Sequence, residues 1–96
     1  MGVITNWREK YLPPNWAPTA KAGGFHAVST KIVDGASTFH PDEAARVFAK
    51  ADAAGLRRHG WGWHNLRDDG EAMLEAQRAS QEAKRYGVDA YWVNAE

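Results

Sequence analysis

The chain has no cysteine among its 96 residues, which excludes a disulfide framework, a thiolate zinc site and a cysteine nucleophile. It has no excess of either charge, since 12 Lys and Arg balance 12 Asp and Glu. A broad electrostatic grip on nucleic acid or an anionic bilayer needs a basic excess or a basic stripe, so neither partner is expected. No apolar run approaches the roughly 18 residues of a membrane span, and the N-terminal stretch lacks a basic-then-apolar secretion signal. The chain therefore reads as soluble and unexported, with its compartment unassigned. There is no P-loop and no serine nucleophile elbow, and Gly23-Gly24 precedes a strand where a dinucleotide fingerprint would follow one. His26 and His40 have no partners at metal-ligand spacing, and His59 and His64 fall on opposite faces of one strand. Neither a nucleotide enzyme nor a metal or other cofactor is expected.

What the chain does have is an internal period. Gly24, Gly55 and Gly87 each precede an apolar, strand-like run, and they are 31 and 32 residues apart. The polar residues that end these runs, Asp34, His64 and Asn94, lie 30 residues apart. Between the glycines the hydrophobic period turns helical. Pro41 suits a first helical turn, Asp42 and Glu43 suit the helix dipole, and Ala44, Val47, Phe48 and Ala51 mark one face before Gly55 closes the helix. A second helix is expected from Asp68 or Asp69 to Gly87, with Ala72, Ala76, Ala79, Ala83 and Tyr86 against a sheet and Glu75, Arg78, Glu82 and Arg85 in water. Strands are expected over Gly2 to Thr5, Phe25 to Val33, Arg57 to His64 and Asp89 to Asn94. Pro13, Pro14 and Pro18 leave Tyr11 to Thr19 as a loop, followed by a short helix at most, around Thr19 to Ala22.

Strands alternating with helices imply βαβ units on a parallel sheet. A (β/α)8 barrel takes about 250 residues, or about 31 per unit. The expected fold is thus α/β, the N-terminal half of a TIM barrel forming one partial domain over residues 1–96 and running from its first strand to its fourth. The segment is read as a fragment of a longer barrel, or as a half-barrel that completes itself by pairing with another copy.

Ligands of such sheets bind beyond the carboxyl ends of the strands. The candidates there are Asn6, Lys31 and Asp34, His64 and Asn65, and Asn94 and Glu96. Alternation puts Trp92, Asn94 and Glu96 on one face of the last strand. A carboxyl group in a partly dry barrel mouth can donate a proton to a leaving oxygen in glycoside hydrolysis, which nominates Glu96 as the catalytic acid, with Lys31 as a charge partner. In the run His59-Gly60-Trp61-Gly62-Trp63-His64, one face is almost bare backbone and ends in His64, while the other is aromatic. Tryptophan faces suit the apolar C–H surfaces of sugar rings.

Four motifs then occur in order: Lys31-Ile32-Val33-Asp34-Gly35; Ala53-Ala54-Gly55-Leu56 leading to Gly60-Trp61-Gly62-Trp63-His64; an Ala/Glu-rich helix; and Tyr91-Trp92-Val93-Asn94-Ala95-Glu96. Over residues 25–96 the chain resembles glycoside-hydrolase-like TIM barrels. It is similar to the lysozyme-type muramidases of glycoside hydrolase family 25, and closer to uncharacterised relatives with a Trp-Gly-Trp-His strand. The resemblance implies a hydrolase (glycosidase) acting on a polysaccharide such as cell-wall peptidoglycan. The family's Lys-x-x-Glu-Gly pattern is matched by Lys31, Asp34 and Gly35, and the Glu of its Asp-x-Glu strand end by Glu96. The family's Asp stands as Asn94 here, and its first-strand Asp has only Asn6 nearby. An asparagine orients a sugar but is no carboxylate base. The expectation is therefore a glycosidase-like protein with Glu96 as proton donor, Lys31, Asp34, His64 and Asn94 around the substrate, and Trp63 as a stacking surface. The alternatives are a non-catalytic carbohydrate-binding barrel and a self-associating half-barrel.

Overall fold

The computed structural model describes residues 2–95. Its elements follow the order β1 (Val3–Asn6), α1 (Trp16–Ala22), β2 (Ala27–Asp34), β3 (Ser37–Thr38), α2 (Pro41–Ala54), β4 (Arg57–His64), α3 (Asp69–Tyr86) and β5 (Ala90–Ala95), with a 3-10 turn at Glu9–Tyr11. β1, β2, β4 and β5 form a parallel sheet in that spatial order, so consecutive repeat units sit side by side. The α/β class, the alternation and the parallel sheet agree with the sequence reading. Among the described residues no helix is long and apolar enough to cross a membrane.

Each boundary has a local cause. α2 starts on Pro41, whose missing N–H costs nothing in a first turn, and ends at Gly55 in the left-handed region. α3 is capped by the Asp68 carboxylate, which accepts the Glu71 N–H at 2.8 Å, and ends at Gly87 with φ 60°. α1 is longer than expected, because Pro18 falls within its first turn, where proline is tolerated. β3 was not anticipated. It is a two-residue antiparallel strand beside Val33 and Asp34, held by Arg78, which donates to the Ala36 carbonyl at 3.2 Å and to Thr38 Oγ1 at 3.4 Å.

One layer of helices covers one sheet face. Val28, Ile32 and Val33 of β2 pack under Val47, Phe48 and Ala51 of α2, with Trp16, Ala17 and Ala20 of α1 and Tyr86 of α3 completing the core. The expected water-facing side of α3 is corrected here: Glu75 is 1 % and Glu82 4 % exposed. The helix lies over β2, β3 and β4, turned so that Glu75, Glu82 and Tyr86 face inward. The alanine flank, Ala72, Ala76 and Ala79, instead borders a hollow beside Tyr91 and Val93.

β2 carries a bulge. Lys31 pairs with Trp61 and Val33 with Gly62, so Ile32 is an extra residue and both Ile32 and Val33 turn into the core. The chain then resumes alternation with Asp34 beside Trp63.

Two ion pairs fasten the segment after β1 to α2. Arg8 bonds both carboxylate oxygens of Glu43 at 2.9 and 3.2 Å, and Arg46 bonds Glu9 at 2.8 Å. Hydrogen bonds from these guanidiniums hold both carboxyls below their ordinary 4.5. A depressed carboxyl contributes stability that is present above 4.5 and is lost as pH falls through its folded value. Thermal unfolding followed from pH 7 downward is expected to lose stability below 4.5, and the Arg8→Ala/Arg46→Ala variant is expected to lose less over the same range. An equal loss in both proteins would contradict this assignment.

Candidate functional site

The face away from the helices is uncovered. Strand alternation and the parallel register place Val3 and Thr5, Ser29 and Lys31, His59, Trp61 and Trp63, and Trp92 and Asn94 on it. Val3, Thr5, Ser29, Trp61, Trp92 and Asn94 line a hollow of about 280 Å³. Two tryptophans from neighbouring strands, paired Trp61 to Trp92, supply its apolar wall. The hydroxyl and amide groups of Thr5, Ser29 and Asn94 supply its polar groups.

Both indoles are oriented from behind. Trp61 Nε1 donates to the Asn6 carbonyl at 3.0 Å, which ties β4 to the end of β1. Trp92 Nε1 donates to His59 Nδ1 at 3.4 Å. Burial holds the His59 imidazole below its ordinary 6.5, so at neutral pH the ring is neutral and Nδ1 is free to accept. Trp92 nonetheless remains 56 % exposed, so its ring is held but uncovered.

Above the hollow, Lys31 and Asp34 meet at 3.3 Å. The Lys31 ammonium also lies 4.2 Å from the Phe39 ring centroid and 5.5 Å from that of Trp61. These contacts fix a cation at the strand ends by aromatic faces as well as by the carboxylate. Trp63 shares this level, opposite Asp34 on one side and Asn94 on the other. The sequence candidates Lys31, Asp34, Trp63 and Asn94 are therefore brought together. Glu96 lies outside the described residues.

His64 does not join them. It points into the helix layer, 2 % exposed, with Nε2 2.7 Å from Tyr91 Oη. Its expected place beside the substrate is corrected by strand parity: Gly60, Gly62 and His64 occupy the face opposite Trp61 and Trp63. Asn6 likewise faces the helices and is 5 % exposed.

Around His64 lies a buried polar cluster that the sequence reading missed. Glu75 accepts the backbone N–H groups of Asn65 and Leu66, each at 3.0 Å, and its Oε2 is 4.0 Å from His64 Nδ1. Burial pushes the Tyr91 phenol well above its ordinary range, so it keeps its proton for the bond with His64. The signal was available in the spacing of Glu75, Ala79, Glu82 and Tyr86, which form one helical stripe. The alternative stripe of alanines, being apolar, was given the core instead. The cluster anchors the loop after β4, and that loop leads away from the end of the sheet where Trp63 and Asn94 sit.

No family model, curated protein or solved structure matches this chain. The site's own chemistry therefore carries the functional reading.

Proposed function

We propose that the open face of the sheet binds an oligosaccharide, and that the chain is one half of a (β/α)8 carbohydrate-active barrel. The observation that carries the binding proposal is the hollow between Trp61 and Trp92, floored by Ser29 and rimmed by Thr5 and Asn94. A sugar ring presents apolar C–H faces and hydroxyl rims. Two preset indoles match the faces, and a short set of hydroxyl and amide groups matches the rims. Among the described residues the hollow's lining carries no charged side chain, which suits a neutral ligand. Hydrolysis by Glu96 acting as proton donor is the catalytic extension of this proposal, with peptidoglycan-type chains as substrate. Asn94 in the partner position favours binding over turnover, because an amide cannot act as the second carboxylate.

Calorimetric titration with neutral N-acetylglucosamine oligomers tests the reading. Trp61→Ala and Trp92→Ala are each expected to weaken binding at least about tenfold, or about 1.4 kcal/mol. Phe25→Ala is expected to leave it unchanged, since Phe25 borders a separate hollow with Gly2, Gly23 and Gly24. Absence of binding, or binding indifferent to Trp92→Ala, would sink the proposal. Release of reducing ends that disappears in Glu96→Gln while binding persists would establish the catalytic extension.

A further inference from the structure

Parallel sheets are ordinarily covered on both faces, and free sheet edges invite pairing. Among the described residues one face is open, and β1 and β5 each leave one long edge unpaired. We infer that a second copy of this chain closes the sheet, with β5 of each copy pairing in parallel with β1 of the other to form an eight-stranded barrel about a two-fold axis.

The register supports this occupant. Thr5, Ser29, His59 and Ala90 lie straight across the four strands. A closed eight-stranded βα barrel has a shear of about eight residues, so each half must supply a stagger of about four. Moving four residues along β5 from Ala90 reaches Asn94, which then faces Thr5 of the second copy. With that offset, Val3–Asn6 lies along Trp92–Ala95 over its whole length. The opposite stagger would set β1 against the end of α3, where no strand exists to pair with it. The offset is even, so the faces agree: Val3 meets Trp92 and Thr5 meets Asn94 on the inside, while Ile4 meets Val93 on the helix side.

The chemistry of the edges fits as well. Val93 is 61 % and Trp92 56 % exposed, and both would be covered by apolar residues of β1. Repulsion between copies is small. The net charge is zero, and the inner face's cations are Arg57 at its lower end and Lys31, which is paired with Asp34.

Light scattering after size exclusion is expected to give twice the 10.7 kDa chain mass. The absence of native cysteine permits a register test. Oxidised Thr5→Cys/Asn94→Cys is expected to run as a covalent dimer, whereas Thr5→Cys/Ala90→Cys, which reports the unstaggered register, is not. Within one copy these strands are three spacings apart, about 14 Å, too far for a disulfide, so the bond reports only on pairing between copies. Val93→Lys is expected to yield a monomer with unchanged circular dichroism, because that side chain is exposed in the single copy. A monomeric parent, open-ended aggregates, or cross-linking through position 90 in place of 94 would each overturn the inference. A closed barrel would enclose the Trp61–Trp92 hollow among packed side chains, so sugar binding is titrated on the Val93→Lys monomer as well as on the parent, and either proposal can fail alone.

Discussion

Glu75→Ala is expected to lower the free energy of unfolding by about 3–5 kcal/mol, the range for removing one partner from a buried charged contact. The carboxylate is 1 % exposed and accepts two backbone N–H groups. Alanine leaves both donors without their acceptor and opens a void beneath the loop. The loss is enlarged by the backbone it supports, since Leu66 sits at φ 53°, a left-handed conformation unfavourable for a leucine. Without the Glu75 acceptor little holds that residue there. Glu75→Gln retains one acceptor oxygen but turns an amide N–H₂ toward the other donor, so about half the loss is expected. Urea unfolding measures both variants. Hydrogen exchange adds a local reading: the amides of Asn65 and Leu66 should lose protection in Glu75→Ala beyond the global change. A loss under 1 kcal/mol would mean that the loop finds other acceptors.

The second large effect is expected at Gly62. A Cβ there would overlap Tyr91 Oη, approach His64 Nε2 to 2.7 Å and meet Val33 Cβ at 3.1 Å. The tyrosine oxygen sits at the end of a rigid ring held by His64, so it cannot step aside without breaking that hydrogen bond. Gly62→Ala is therefore expected to cost about 2–4 kcal/mol, combining overpacking with the lost bond. Tyr91→Phe removes the atom that clashes. The double variant Gly62→Ala/Tyr91→Phe should accordingly be more stable than the sum of the two single losses predicts, by about 1 kcal/mol or more. Strict additivity would place the obstruction elsewhere, at Val33 or in the strand backbone.

The parts of the fold that could be read from sequence are those whose signals are local. Gly55 and Gly87 ended their helices as expected, and Pro41 opened one, because caps depend on a few neighbouring residues. The face shared by Ala44, Val47, Phe48 and Ala51 was also legible, since its periodicity was apolar and unrivalled. α3 offered two stripes, and the choice between them was decided by tertiary contacts: donors at Asn65 and Leu66 drew Glu75 inward. Partners that lie nine and ten residues away in the chain leave no trace in hydropathy. The site divided along similar lines. Alternation correctly opposed the glycines to the tryptophans in β4, but which of those faces lay open was set by the helix layer. That layer took His64 and left Trp61, Trp63 and Asn94 to the open side.

The bulge at Ile32 has a further bearing on how this sequence can change. In an unbroken strand of the same residues, Lys31 and Asp34 would project to opposite sides, and the carboxylate would turn toward the helix layer. One surplus residue returns Asp34 to the side of Lys31, where the two meet. The surplus residue gives the core a second apolar side chain, since Ile32 and Val33 both turn inward where plain alternation would place one. A polar substitution at Ile32 would disturb the core, whereas deleting the residue would leave Lys31, Val33 and Asp34 in plain alternation, with Lys31 and Asp34 still on one side and one core side chain fewer. Lineages of this chain are therefore expected to keep an apolar residue at that position or to lose the position altogether.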